Sequence, residues 1–221
     1  MTTFYKENTI CTVCRSENEY EGIASTNMFG SLDLDTRPPE MKRSTIFAWV
    51  QRCPQCGYCA ADVTEPRPGA QAVMSGEEYK NQVNDPEHPE LANSFLCKAI
   101  VDRESGDYAD ATWALIHAAW VCDDFELPVQ AGACRQKGAD MLTVAEAHGQ
   151  QVAEQEGAST VILVDLLRRS GQLQKARQLI AKGRGSNNED IIYKILDFQS
   201  TLLDRNDVSC HTVAEALAKR D

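Results

Sequence analysis

Four cysteines carry the most specific chemical signal in the chain. Cys11 and Cys14 form one CxxC pair, Cys53 and Cys56 another. Two residues between cysteines permit a tight turn that aims both sulfurs at one ion. Two such turns complete a tetrahedral four-thiolate site with metal–sulfur distances of about 2.3 Å. Pro54 pre-sets the second turn, and Gly57 can take the left-handed conformation that closes it. The 38 intervening residues exceed the span of simple four-cysteine sites, which implies an elaborated ribbon. Ligand softness and spacing point to one structural Zn2+ per chain on Cys11, Cys14, Cys53 and Cys56. A shell closed by four protein sulfurs leaves no open position for water, so such a zinc is structural rather than catalytic.

Cys59 extends the second pair to Cys53-x-x-Cys56-x-x-Cys59, imitating the start of an iron–sulfur run. That run would place another cysteine at position 63, where Val63 stands, and an iron–sulfur cluster is disfavoured. Cys59 then reads as a small strand residue, with a replacement ligand or redox-sensing thiol as the alternative.

The other candidates are weaker. Asp33 and Asp35 alternate with Leu32 and Leu34 before Arg37-Pro38-Pro39. As a functional set they would be a hard-metal or acid/base pair with Arg37 as an anion contact. The preferred reading is a half-buried strand ending at a stiff turn, with Arg37 paired locally. His88, His117, His148 and His211 have no metal-ligand spacing among themselves, and His117 lies between Trp113 and Trp120 as a core or seam residue. Cys97, Cys122, Cys134 and Cys210 read as small hydrophobes. Phosphate-loop, HExxH and GxSxG motifs are absent, and no complete catalytic constellation can be named, so the chain reads as a non-enzyme.

These residues must be positioned by a chain of 221 residues, 43% apolar, with 33 acids against 22 bases. A formal charge of −11 opposes generic phosphate-backbone and anionic-membrane binding. The basic residues Arg37, Lys42, Arg43 and Arg52 near the cysteine pairs keep a nucleic-acid-binding ribbon open as an alternative. The N-terminal residues lack the pattern of a signal peptide, and the most apolar stretch, Ala114 to Cys122, is far shorter than the roughly 20 residues of a membrane span. Nine reduced cysteines fit a cytoplasmic protein.

The texture divides the chain into a small β-rich region (1–62), a breaker-rich linker (63–74) and an all-α region (75–221), an α+β organisation by segregation. Thr45–Val50 has the composition of a strand. Helices are expected near 90–104, 107–123, 128–150, 158–169, 173–183, 188–204 and 209–219. Within them Gly106-x-Tyr108-x-x-Ala111-x-x-x-Leu115-x-x-Ala118 echoes Gly171-x-Leu173-x-x-Ala176-x-x-x-Ile180-x-x-Gly183. The 65-residue offset is close to two helical-hairpin periods. The spacing resembles tetratricopeptide repeats (TPRs), although Lys98 and Asp102 stand where apolar residues are usual, and the 125–156 unit matches poorly. A degenerate last unit over 191–221 would turn at Arg205-Asn206-Asp207.

The two cysteine pairs, the Cys53-Pro54-Gln55-Cys56-Gly57-Tyr58 segment and Ala111-x-x-Ala114-x-x-x-Ala118-Ala119-Trp120 together resemble an uncharacterised bacterial domain-of-unknown-function family. Its members join a zinc-ribbon-like N-terminal region to TPR-like helices. The first pair departs from that pattern, with Thr12 where proline is usual and Arg15 where glycine is common. The resemblance implies a fold and no activity. The leading expectation is a zinc-binding adaptor that holds a protein or peptide partner on its helices. The alternatives are a thiol/zinc redox sensor and a nucleic-acid-binding ribbon.

Overall fold

The computed structural model describes residues 1–185 and 189–218. Two antiparallel hairpins come first. Strand β1 (Thr3–Ile10) pairs with β2 (Glu17–Ser25), ending with Ile10 opposite Glu17. Strand β3 (Gln51–Arg52) pairs with β4 (Cys59–Ala60), Arg52 opposite Cys59. Each connecting turn is a CxxC segment, so the pairing register itself brings the cysteines to the hairpin tips. Strand β1 is exposed at nearly every position, and two-stranded hairpins are marginal alone.

The expected strand at 45–50 is instead a 3-10 helix over Arg43–Ala48. The Thr45 hydroxyl donates to the Lys42 carbonyl at 2.7 Å, and Trp49 Nε1 donates to Thr45 Oγ1 at 3.0 Å. These local bonds compete with a sheet ladder. They also turn Thr45 and Ile46 inward, so the β-branched run is used for burial rather than pairing.

From residue 70 the described chain is helical: α1 (Ala70–Ser75), α2 (Glu77–Val83), α3 (Glu90–Glu104), α4 (Tyr108–Asp124), α5 (Pro128–Ala147), α6 (Ala158–Arg169), α7 (Leu173–Arg184), α8 (Asp190–Asp204) and α9 (Val213–Leu217). The expected boundaries hold to within a few residues. Helix α1 begins inside the stretch read as linker and ends one residue beyond it. Positions 188 and 219, at the ends of two expected helices, and the tail of the 191–221 unit lie outside the described residues.

The same cap recurs at five helix ends. Gly106, Glu126, Gly149, Gly171 and Asn206 all take positive φ, between 53° and 83°. After each, the next residue's N–H reaches back five residues, as Asp107 does to Asp102 and Gln172 to Leu167. The positive-φ residue itself donates three residues back, as Gly106 does to Arg103. This is the Schellman arrangement, which satisfies carbonyls that a helix end would otherwise orphan. Gly106 and Gly171, the anchors of the sequence echo, are thus equivalent turns. The poorly matching middle stretch carries the cap at Glu126 and Gly149. Gly183 is needed for packing, since a Cβ there would meet Leu196 at 3.1 Å and Thr160 at 3.2 Å.

Lys98 and Asp102, anomalous as repeat positions, are a buried ion pair at 2.5 Å. Arg67, from the breaker segment, reaches Asp102, Asp107 and Asp110. Arg168, fully buried, pairs with Asp165 at 2.7 Å and donates to the Asp207 carbonyl beyond α8 at 2.7 Å.

The N-terminal region is tied to these helices by residues 31–37. Leu34 N–H donates to the His211 carbonyl, Val213 N–H to the Leu32 carbonyl, and Asp33 forms a bridge with Thr212. Asp35 has no exposed surface. Its Oδ2 accepts from Trp120 Nε1 at 2.9 Å and Arg169 Nη1 at 3.0 Å, with Arg135 Nη2 at 3.7 Å. Asp123 shares both arginines, and Arg37 pairs with Asp124 at 2.5 Å. The segment is therefore not a simple strand, and Arg37 pairs with α4 rather than locally.

Removing one partner of a buried ion cluster leaves desolvated charge behind, whereas half-exposed pairs contribute little. Asp35→Ala is expected to cost about 3 kcal/mol in denaturant unfolding. Asp204→Ala, which removes the surface pair with Arg177 and whose carboxylate is 68% exposed, should cost less than about 1 kcal/mol. Equal effects would contradict this assignment.

Candidate metal centre

The two knuckles are built alike. Cys11 N–H donates to the Ser16 carbonyl at 2.9 Å, and Cys53 N–H to the Tyr58 carbonyl at 2.8 Å. Arg15 N–H returns to the Cys11 carbonyl at 2.9 Å, as Gly57 N–H does to Cys53 at 2.8 Å. The closing residue is left-handed in both, Gly57 with φ 77° and Arg15 with φ 64°. Arginine there bears a Cβ penalty that glycine avoids, so the first knuckle keeps its turn at some local cost. Tyr20 on β2 donates to the Arg52 carbonyl at 3.4 Å, and Thr12 N–H to Val63 at 2.9 Å, holding one knuckle against the other.

This framework gathers the sulfurs of Cys11, Cys14, Cys53 and Cys56 within 4.8 Å of one another. Cys11 and Cys56 are 3.8 Å apart, Cys14 and Cys53 3.6 Å. A tetrahedron with metal–sulfur bonds of about 2.3 Å has edges of about 3.8 Å, so the spacing fits a metal centre. None of the four is in a disulfide. Cys11 and Cys53 are buried, Cys56 is half-buried and Cys14 is exposed. The Ser16 hydroxyl lies 3.0 Å from Cys14 and 3.4 Å from Cys53, and Asn18 donates to that hydroxyl at 3.0 Å.

The electrostatics of the four differ. Hydrogen bonds from the Ser16 side chain and backbone push the Cys14 thiol down to about 6. Burial pushes the Cys11 and Cys56 thiols up.

No protein-family model, curated protein or solved structure matches this chain.

The other sequence candidates separate from the knuckles. Cys59 is fully buried on β4; its N–H donates to the Tyr79 hydroxyl at 3.1 Å, and that hydroxyl donates to the Gly57 carbonyl at 2.8 Å. Its thiol donates to the same carbonyl at 3.3 Å. Cys59 thus supports the second knuckle from behind and is no ligand of the cluster. His117 packs edge-on against Trp49 and Phe95 and tilted against Trp113 and Trp120, and desolvation pushes it down to about 3, keeping it neutral. Arg43 pairs with Asp33 at 2.6 Å, and Arg52 with Asn84 and Glu90. With Arg37 also paired, three of the four basic residues near the cysteine pairs have an acidic partner. Among the described residues, no helix is long and apolar enough to cross a membrane.

Sequence reasoning passed over one further group: His88, Cys122 and Cys134 place ligand atoms within 4.8 Å of one another. Their separation along the chain gave no local signal.

A metal displaces the protons of its ligands, so thiols that are protonated at neutral pH make affinity pH-dependent. Cys11 and Cys56, raised by burial, each release a proton on binding, while Cys14 is already ionised. Zinc affinity should therefore rise by at least about a hundredfold per pH unit between about pH 6.5 and 8. Chelator-competition titrations check this; a flat profile would contradict it.

Proposed function

We propose that the chain is a non-catalytic, zinc-binding scaffold whose TPR-like helices hold an apolar side chain of a protein partner. The resembled domain-of-unknown-function family has the same plan, and the four-thiolate cluster fits one structural zinc. The observation that carries the partner reading is an open cleft of 280 Å³ among α2, α3, α4 and α5. Leu96, Ile100, Leu115 and Met141 give it an apolar floor, and Arg103 and Lys137 stand at its lining.

Its size is compatible with this reading. Small-molecule pockets usually run from about 300 to 1,000 Å³. A cleft at the lower edge of that range accommodates one or two side chains of a docked segment, the usual anchor of peptide recognition. The helices already hold one turn of the same chain, residues 33–37, through Asp35.

Met141→Lys places a charge on the cleft floor from a half-buried position, without opening the core. Crosslinking of the full chain in its native extract, with circular dichroism as a folding control, should recover a partner whose yield falls about tenfold or more in the variant. Recovery unaffected by Met141→Lys would remove the cleft from the account, and no reproducible partner would remove the adaptor reading.

A further inference from the structure

We propose a second metal site, formed by His88, Cys122 and Cys134, that takes a zinc-class divalent ion and leaves its fourth position to water. The three residues come from three elements: the loop between α2 and α3, the last turns of α4 and the second turn of α5. Cys122 and Cys134 are buried, and the His88 side chain is 14% exposed.

The histidine is oriented as a ligand would be. Its Nδ1 lies 2.9 Å from Asp85 Oδ2. A carboxylate at Nδ1 fixes the tautomer with the proton there and leaves the Nε2 lone pair free; metal-bound histidines are commonly held by such an outer partner. No hydrogen bond engages Nε2 among the described residues.

The loop that presents it is constrained at several points. Pro86 and Pro89 flank it. Glu87 N–H donates to Asp85 Oδ1 at 3.0 Å, and Asn93 Nδ2 donates to the Asp85 and His88 carbonyls at 2.8 and 3.4 Å. Gln82 in turn donates to Asn93 Oδ1 at 2.8 Å. The cysteines are set by the α4 cap, where Leu127 N–H returns to the Cys122 carbonyl at 2.9 Å and Glu126 turns with φ 56°. That cap sends α5 back along α4 and brings Cys134 to Cys122.

The chemistry suits the burial. Two thiolates, a neutral imidazole and a divalent ion sum to no net charge, whereas four thiolates around the same ion retain about −2. A neutral centre is the one a helical core can enclose, and the charged one belongs at a partly exposed surface. Cys14 is exposed at the first cluster, while both sulfurs here are buried. Sulfur and imidazole donors select zinc-class ions over magnesium or calcium, and three protein donors with an open position are the pattern of exchangeable or water-bearing zinc.

Cobalt titration of the full chain, freed of metal under reducing conditions, tests the site by stoichiometry and by thiolate-to-metal absorption. The native chain should take two equivalents, with absorption from six thiolates. Cys122→Ser with Cys134→Ser should take one equivalent with absorption from four, and Asp85→Asn should weaken the second equivalent about 10- to 100-fold. His88→Gln lies on the loop and leaves the helix seam unaltered, so it reads the site even where the serine variants fail to fold. It should weaken the second equivalent at least tenfold while sparing the first. A single equivalent in the native chain, or a second equivalent indifferent to His88→Gln, would overturn the proposal.

Discussion

Four sulfurs held within 4.8 Å at the tips of two short hairpins are the constraint on which the N-terminal region depends. Gathered thiolates repel one another, and two-stranded ribbons with exposed faces bury too little to oppose that repulsion. A thiophilic cation converts the repulsion into attraction, and its binding free energy becomes folding free energy. The elements around the sulfurs have the same end: paired registers, matched knuckle hydrogen bonds, Tyr20 bridging the hairpins, and Tyr79 pinning the second knuckle to α2.

The hairpins in turn hold the ends of the 26–50 stretch, which delivers Asp33–Arg37 into the helices. Asp35 there meets Trp120, Arg135 and Arg169 with no exposed surface. The ribbon and the helical array share a buried charge cluster, and Arg67 adds a second tie through Asp102 and Asp107. A buried ion network is weak as a source of net stability but specific about which surfaces meet. Thus the four-sulfur cluster joins the tips of the hairpins, and the hairpins present the segment that closes on α4, α5 and α6.

What could be read from the sequence was local. The CxxC spacing placed the cluster, Gly57 announced its left-handed turn, and most helix ends followed from breakers and apolar period. The echo between Gly106 and Gly171 marked two equivalent caps. The turn expected at Arg205-Asn206-Asp207 is the cap at Asn206, whereas the cap at Glu126 was silent because it takes the same conformation without glycine. The Thr45–Val50 run misled because β-branched composition says only that a residue suits a half-buried surface, and a threonine hydroxyl chose a local partner. Asp35 with Arg169, and His88 with Cys122 and Cys134, are brought together by helix packing across long separations, which no spacing rule can register.

The central claim is that Cys11, Cys14, Cys53 and Cys56 hold a zinc ion that orders the hairpins. Its most direct test is the elemental content, zinc and iron together, of tag-free protein purified without chelator, beside the Cys14→Ser Cys53→Ser variant. The account predicts zinc in the native chain, one equivalent fewer in the variant, and no iron. Equal zinc in both proteins, iron in place of zinc, or a folded native chain devoid of metal would contradict it.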